Sequence, residues 1–351
     1  MDKPFLAKLR RIDPYVPGEQ PQSDDIIKLN ANENPYPPAP GVQETLRTFD
    51  ASRLALYPDA NGRALKNALA NRFGVKPTQV FLGNGSDDVL ALAFQSFFCS
   101  EQPILYPDIT YSFYPVWCDL FRIPYETVPL NENFCVNVRD YDKPNGGIVL
   151  PNPNAPTGRG VSLDFLEDLL QHNADCVVII DEAYVDFGAQ SAVPLLSKYE
   201  NLLVVQTMSK SRSLAGLRIG YALGSETLIA TLEAVKNSYN SYTMDAVALA
   251  AGEAAVKDEA YFQETCRKVI ATRERTAEEL RALGFAVQPS LTNFLFVTHP
   301  TKKAPEIFEY LRQKKIFIRY FKLPRIDNYL RITVGTDEQM DRMIDALRAF
   351  L

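Results

Sequence analysis

Lys210 stands just past a strand-like run, in Thr207-Met208-Ser209-Lys210. A lysine amine attacks a carbonyl once its pKa is lowered, and a Schiff base lowers it while storing the carbonyl compound covalently. The hydroxyls of Thr207 and Ser209, with the guanidinium of Arg218 further on, can bind a phosphate dianion, the arginine bidentately. A second segment, Asp181-Glu182-Ala183-Tyr184, follows the apolar run Cys176 to Ile180. A carboxylate there can pair with a ring N–H⁺ and hold the ring protonated, and Tyr184 can donate to a phenolic oxygen on the same ring. A third, Gly83-Asn84-Gly85-Ser86-Asp87, lies between a strand and a helix, where glycine allows close backbone approach and the helix start presents free N–H groups to an anion. A fourth, Pro151-Asn152-Pro153-Asn154-Ala155-Pro156-Thr157-Gly158, is a proline-locked turn in which Asn152 and Asn154 offer amides to a ring oxygen. Together these groups suit a phosphorylated, planar, electron-withdrawing cofactor.

Elements must bring such groups together. From about Val80 the chain alternates short β-rich runs with helical patterns: Val80 to Leu82, helical Ser86 to Phe98, Ile104-Leu105, helical Tyr111 to Leu120, Tyr125 to Pro129, Ile148 to Leu150, helical Leu163 to His172, Cys176 to Ile180 and Leu202 to Gln206. This rhythm predicts a mostly parallel sheet between helices, with functional residues in loops at strand carboxyl ends. The wholly apolar Cys176–Ile180 run should be buried on both faces. After Tyr239 the character changes. Met244 to Leu283 reads as one long helix ended by Gly284. Phe285 to Val287, Asn293 to Val297, Ile316 to Ile318 and Leu330 to Val334 read as strands, with helices at Ala304 to Gln313 and Asp337 to Phe350, suggesting a smaller α+β domain. The proline-rich first forty residues predict an extended arm. We therefore divide the chain into an arm (1–28), a large α/β domain (29–240) and a small domain (241–351).

Charge and composition remove several classes of function. A net charge of −6 argues against an electrostatic grip on nucleic acid or an anionic membrane. The apolar runs are far shorter than the roughly 20 residues a bilayer needs. Met1-Asp2-Lys3-Pro4-Phe5 shows no secretory leader, so the cytoplasm is the expected location. Five cysteines without a C-x-x-C pair read as reduced, mostly buried thiols, and His172 and His299 read as surface or loop residues, so no metal site is expected.

In this order, from about Leu29 to Thr336, the segments resemble the fold-type I pyridoxal-phosphate enzymes, in particular the class I/II aminotransferases. The combination carries the likeness: the Asn-Ala-Pro-Thr-Gly turn, Asp181 with Tyr184, Lys210, Arg218, and Arg331 in Leu330-Arg331-Ile332-Thr333-Val334-Gly335. Within that family the sequence is most similar to the histidinol-phosphate aminotransferases. Pro14-Tyr15-Val16-Pro17-Gly18, Lys28-Leu29-Asn30-Ala31-Asn32-Glu33-Asn34-Pro35, Tyr57-Pro58-Asp59, Tyr111 after Ile109-Thr110, and Ile318-Arg319-Tyr320 carry this closer likeness.

The resemblance implies an α/β fold with a mostly parallel seven-stranded sheet in the large domain, a homodimer, and pyridoxal 5'-phosphate as cofactor. It implies that Lys210 is the Schiff-base lysine, Asp181 the partner of the pyridine nitrogen and Tyr184 that of the ring oxygen. Tyr111 would stack on the ring, with Gly85, Ser86, Asp87, Thr207, Ser209 and Arg218 around the phosphate and Tyr57 arriving from the partner subunit. Tyr15, Asn32, Arg319 and Arg331 would hold the substrate. One position departs from the family: Ala155 stands where an asparagine usually precedes the Pro-Thr-Gly turn. Asn152 or Asn154 then reaches the ring oxygen from a shifted turn, or Tyr184 serves it alone. The implied reaction is amino transfer from histidinol phosphate to 2-oxoglutarate. The alternatives are an aromatic or general amino-acid aminotransferase and a threonine-phosphate decarboxylase of the same fold. A regulator fused to a DNA-binding module fits neither the short arm nor the charge.

Overall fold

The computed structural model describes residues 3–16, 18–21 and 25–351. Met1, Asp2 and Pro17, which enter the readings above, lie outside the described residues. Seven strands form one sheet in the order Val80–Asn84, Ile219–Gly224, Leu202–Thr207, Val178–Asp181, Gly147–Pro151, Ile104–Pro107 and Tyr125–Val128. Ile219–Gly224 runs antiparallel to both of its neighbours and the remaining pairings are parallel, as the resemblance implies.

The two-residue period of the strands sorts their apolar side chains into two cores. Ile148, Leu150, Val178, Ile180, Leu202 and Val204 face one layer of helices. Val149, Ile179, Leu203 and Val205 face the other, which includes the helices Ser86–Phe97 and Phe113–Phe121. The strand at 178 is buried throughout, although it starts two residues later than the apolar run suggested and ends on Asp181 itself.

Beyond this sheet, Arg319–Tyr320, Leu330–Thr333, Phe294–Thr298 and Ala286–Val287 form an antiparallel sheet in that order. The helix Asp337–Phe350 covers it with Met340, Met343, Ile344 and Leu347, a single helical face. Ile27–Lys28 pairs in parallel with Ile316–Phe317 and adds Ile27 and Leu29 to this core.

Several expectations need correction. The Met244–Leu283 pattern is two helices, Ala246–Lys257 and Glu259–Ala282, because Asp258 leaves helical geometry (φ −92°, ψ 66°) and its carboxylate accepts the Tyr261 N–H. The first of these, read with residues 241–351, packs Ala248, Ala251, Ala255 and Val256 into the large-sheet core. The Ile316–Ile318 run is a strand only over Ile316–Phe317; Ile318 lies between it and Arg319–Tyr320, which belongs to a different sheet. The arm is not wholly extended: Pro4–Lys8 is a 3₁₀ turn with proline in its first turn, where the missing N–H costs no hydrogen bond. Of the five thiols, only Cys118 and Cys266 are buried. His299 is buried rather than on the surface, its Nδ1 accepting the Lys302 N–H. Among the described residues no helix is long and apolar enough to cross a membrane.

Candidate active site

A cavity opens at the carboxyl ends of the three central parallel strands, where Pro151, Asp181 and Thr207 close their runs. Asp181 lies at its floor, 6% exposed. Its Oδ1 accepts the Ala183 N–H at 3.2 Å and its Oδ2 accepts the Tyr114 hydroxyl at 2.7 Å. Burial pushes this carboxyl up to about 6, against the pull of those two donors. Glu182 next to it points away from the cavity and is pushed up to about 7 by burial, while Ser191, the Ala192 N–H and Gln206 donate to it.

Lys210 stands on the wall with Nζ 3.3 Å from the Ala31 carbonyl and 5.8 Å from the centre of the Tyr184 ring. Asn34 Nδ2 donates to the Lys210 carbonyl and pins the loop that carries it. The Tyr184 hydroxyl accepts the Asn32 amide at 2.9 Å, which leaves its own hydrogen free to be given elsewhere.

The opposite end presents groups that can donate to an anion. The helix Ser86–Phe97 begins here with N–H groups that have no intrahelical acceptor. Thr207 and Ser209, 3.0 Å apart at their hydroxyls, and Arg218 complete the wall. Because Ile219–Gly224 runs against its neighbours, its first residues meet the last residue of Leu202–Thr207, so Arg218 and Thr207 share one edge of the cavity. Gly85 has φ +87°, and a Cβ there would come within 2.5 Å of Arg218 Nη2. A Cβ on Gly220 would lie 2.3 Å from the Gly85–Ser86 backbone. Asp87 balances Arg218 at 3.2 Å and accepts the Tyr111 hydroxyl at 2.8 Å. That contact and burial raise the Tyr111 phenol well above its ordinary range, so it stays a neutral ring facing the cavity.

Not every expected residue lines this space. Asn154 is hydrogen-bonded to the Ile109 carbonyl, Thr110 and Thr157, and Asn152 to the Val161 N–H, so both amides tie the turn to neighbouring segments while Pro153 and Ala155 face the cavity. Asn32 stands behind Tyr184, its Oδ1 accepting from the Thr333 hydroxyl. Tyr57 is 81% exposed, stacked on Tyr242 at 4.5 Å and away from the cavity of its own chain.

Tyr15, Arg319 and Arg331 gather beside the cavity rather than within it. Tyr15 stacks on Phe113 at 4.3 Å and lies 6.4 Å from Tyr111. Arg319 and Arg331 are directly opposite one another on antiparallel strands, and both guanidiniums flank Phe321. Among the described residues neither has an acidic partner within salt-bridge distance. Among the described residues Arg331 gives one hydrogen bond, to the Asn30 carbonyl, and its buried Nε has no partner. Burial, aided by Arg319, pulls its guanidinium below the ordinary arginine value. Like charges opposed across strands are unfavourable, and an anion between them removes the cost.

Sequence reasoning missed Tyr114. It lies in the helix Phe113–Phe121, and its contact with Asp181 spans 67 residues of sequence, so no local spacing signals it.

The family model for aminotransferase class I and II matches residues 24–347. A histidinol-phosphate aminotransferase of Acinetobacter baumannii (strain SDF) is 55% identical over 98% of this chain and 96% of its own length. Histidinol-phosphate aminotransferase 2 of Dechloromonas aromatica is 54% identical over 99% of both. The crystal structure of histidinol-phosphate aminotransferase from Sinorhizobium meliloti in complex with pyridoxal-5'-phosphate superposes with a TM-score of 0.82 at 26% identity, covering 93% of this chain and 92% of that one. With a lysine, a buried carboxylate and an anion-binding helix start converging at the strand ends, and with this match along nearly its whole length, the chain belongs to the aminotransferase class I and II family.

Proposed function

We propose that this protein is a pyridoxal 5'-phosphate-dependent histidinol-phosphate aminotransferase. It would convert L-histidinol phosphate and 2-oxoglutarate to imidazole acetol phosphate and L-glutamate, in histidine biosynthesis. The observation that carries the substrate reading is the opposed Arg319–Arg331 pair with the orphaned Arg331 Nε, next to Tyr15, because a phosphate dianion answers both guanidiniums and the buried donor at once. The names of the relatives agree with it.

The cavity fits the cofactor by its donor set: a buried carboxylate for the ring nitrogen, a lysine on the wall, and a helix start with Thr207, Ser209 and Arg218 for the phosphate. When bound, that group supplies an aldehyde to capture the substrate amine and a ring that spreads the electron pair left at the α-carbon. Lys210 Nζ takes the α-proton. Asp181 keeps the ring nitrogen protonated, and the Tyr184 hydroxyl donates to the ring oxygen without help from Asn152 or Asn154. Asp87 orients Tyr111 and Arg218 rather than touching the phosphate, since two anions would repel.

A second copy would complete the site by bringing Tyr57 to it, as a homodimer. The free cysteines suit a reducing cytoplasm. The test is product analysis with histidinol phosphate, phenylalanine and threonine phosphate as separate substrates. Rapid keto-product formation from histidinol phosphate alone is expected. Preference for phenylalanine, or carbon dioxide release from threonine phosphate, would overturn the assignment.

A further inference from the structure

Tyr114 is fully buried in the helix Phe113–Phe121, its ring set against Tyr106 and Tyr111 at 5.7 Å and Phe94 at 6.1 Å. In this aromatic pocket its hydroxyl has one hydrogen-bond partner among the described residues, Asp181 Oδ2 at 2.7 Å. The Ala183 N–H holds Oδ1, so the carboxylate is gripped on both oxygens from different elements. A phenol whose only neighbour is a carboxylate donates to it, and such a donor favours the charged form of the acid.

We infer that Tyr114 is a positioning residue: by donating its phenolic hydrogen to Asp181 Oδ2, it keeps that carboxylate ionised and aimed at the ring nitrogen, so that the shared proton stays on the cofactor. The inference rests on the cofactor reading above. Two placements of one proton compete in the closed floor of the cavity, on the ring nitrogen or on Asp181. Burial of a carboxylate favours the neutral acid. The Tyr114 hydrogen bond opposes this, since it is stronger to an anion than to a neutral carboxyl. Removing the hydroxyl while keeping the ring should therefore move the proton towards Asp181 without changing the shape of the cavity.

The experiment uses holoprotein reconstituted with pyridoxal 5'-phosphate carrying ¹⁵N in the ring, whose nitrogen shift is followed against pH. The wild type is expected to hold the pyridinium form through neutrality. In Tyr114→Phe the ratio of the ring-protonated to the Asp181-protonated form should fall about tenfold, read as a plateau shift at neutral pH displaced towards that of an unprotonated pyridine nitrogen. The kcat should fall while KM for histidinol phosphate changes little. Tyr106→Phe is the control, because that buried hydroxyl has no hydrogen-bond partner among the described residues, and it should leave the plateau where it was. If Tyr114→Phe does not fold, Tyr114→3,5-difluorotyrosine keeps the shape with a stronger donor and should move the plateau the other way, further towards the pyridinium value. An unchanged plateau in whichever variant folds overturns the role of Tyr114. A wild type that takes up no labelled cofactor overturns the cofactor reading instead.

Discussion

Arg319 and Arg331 show how one pair of residues can select a substrate. Each guanidinium lacks an acidic partner among the described residues, so a bound phosphate gains charge-assisted contacts that an unphosphorylated analogue does not. Arg319→Ala should weaken use of histidinol phosphate by about 1.5–3 kcal/mol, roughly 10- to 150-fold in kcat/KM, and leave histidinol nearly unaffected. Equal losses for both would remove Arg319 from the phosphate site. Lys210→Ala should still bind cofactor yet give no borohydride-fixed adduct, read by mass spectrometry of the peptide that spans position 210. Glu182 gives a pH prediction. Its carboxyl binds a proton more tightly folded than unfolded, so its stabilising contribution is full below about 4.5 and is lost as pH rises through about 7. In that window Glu182→Gln should flatten the decline in stability by up to about 1.4 kcal/mol per pH unit, seen in urea titrations of the apoprotein. A slope identical to wild type would mean that Glu182 does not titrate there. At this scale Lys210 and Asp181 stand out in the sequence because they lie just past or at the end of an apolar run, while Arg218 lies just before the strand Ile219–Gly224. The sequence hides Tyr114, because the contact with Asp181 crosses from the helix layer to the sheet and no local pattern records it. It does not show that the Asn152 and Asn154 side chains meet the backbone of Val161 and Ile109, outside the turn that carries them.

The elements explain why the anion end of the cavity tolerates so little change. Gly85 combines a left-handed backbone with a close approach of Arg218. Gly85→Ala should displace the guanidinium, raising the cofactor's dissociation constant at least tenfold and lowering stability by about 1–2 kcal/mol. Cofactor titration by fluorescence and thermal melts would check both, and unchanged affinity would show that Arg218 can relocate. The strand order is readable from the alternation of apolar runs and helical stretches, and the buried strands from their lack of polar interruption. The break at Asp258 is not. Lys257-Asp258-Glu259 contains neither glycine nor proline, and its charged residues continue a surface-helix pattern, so a cap looks like one more solvated position.

Across the whole molecule, the large exposed side chains include Leu54, Leu56, Tyr57, Tyr239 and Tyr242, the last stacked on Tyr57. Apolar groups of this size left in water fit a surface that a second copy covers. Native mass measurement should give twice the chain mass. Lys210→Ala and Tyr57→Ala, unfolded together and refolded, should regain roughly a quarter of wild-type sites, because one hybrid site in each mixed two-fold dimer carries neither defect. Activity no higher than the mean of the two separate samples would place Tyr57 within its own chain. The reversed strand Ile219–Gly224 has a further consequence. Val80–Asn84 lies at the sheet edge and pairs with this strand alone, so on the ribosome it waits unpaired until more than half of the protein has been made. The phosphate end of the cavity is assembled from the same two segments. A chain released early, before residue 219, would carry Asp181 and Lys210 but leave an open strand edge exposed to its neighbours, which makes premature termination a route to aggregation rather than to a partly active enzyme.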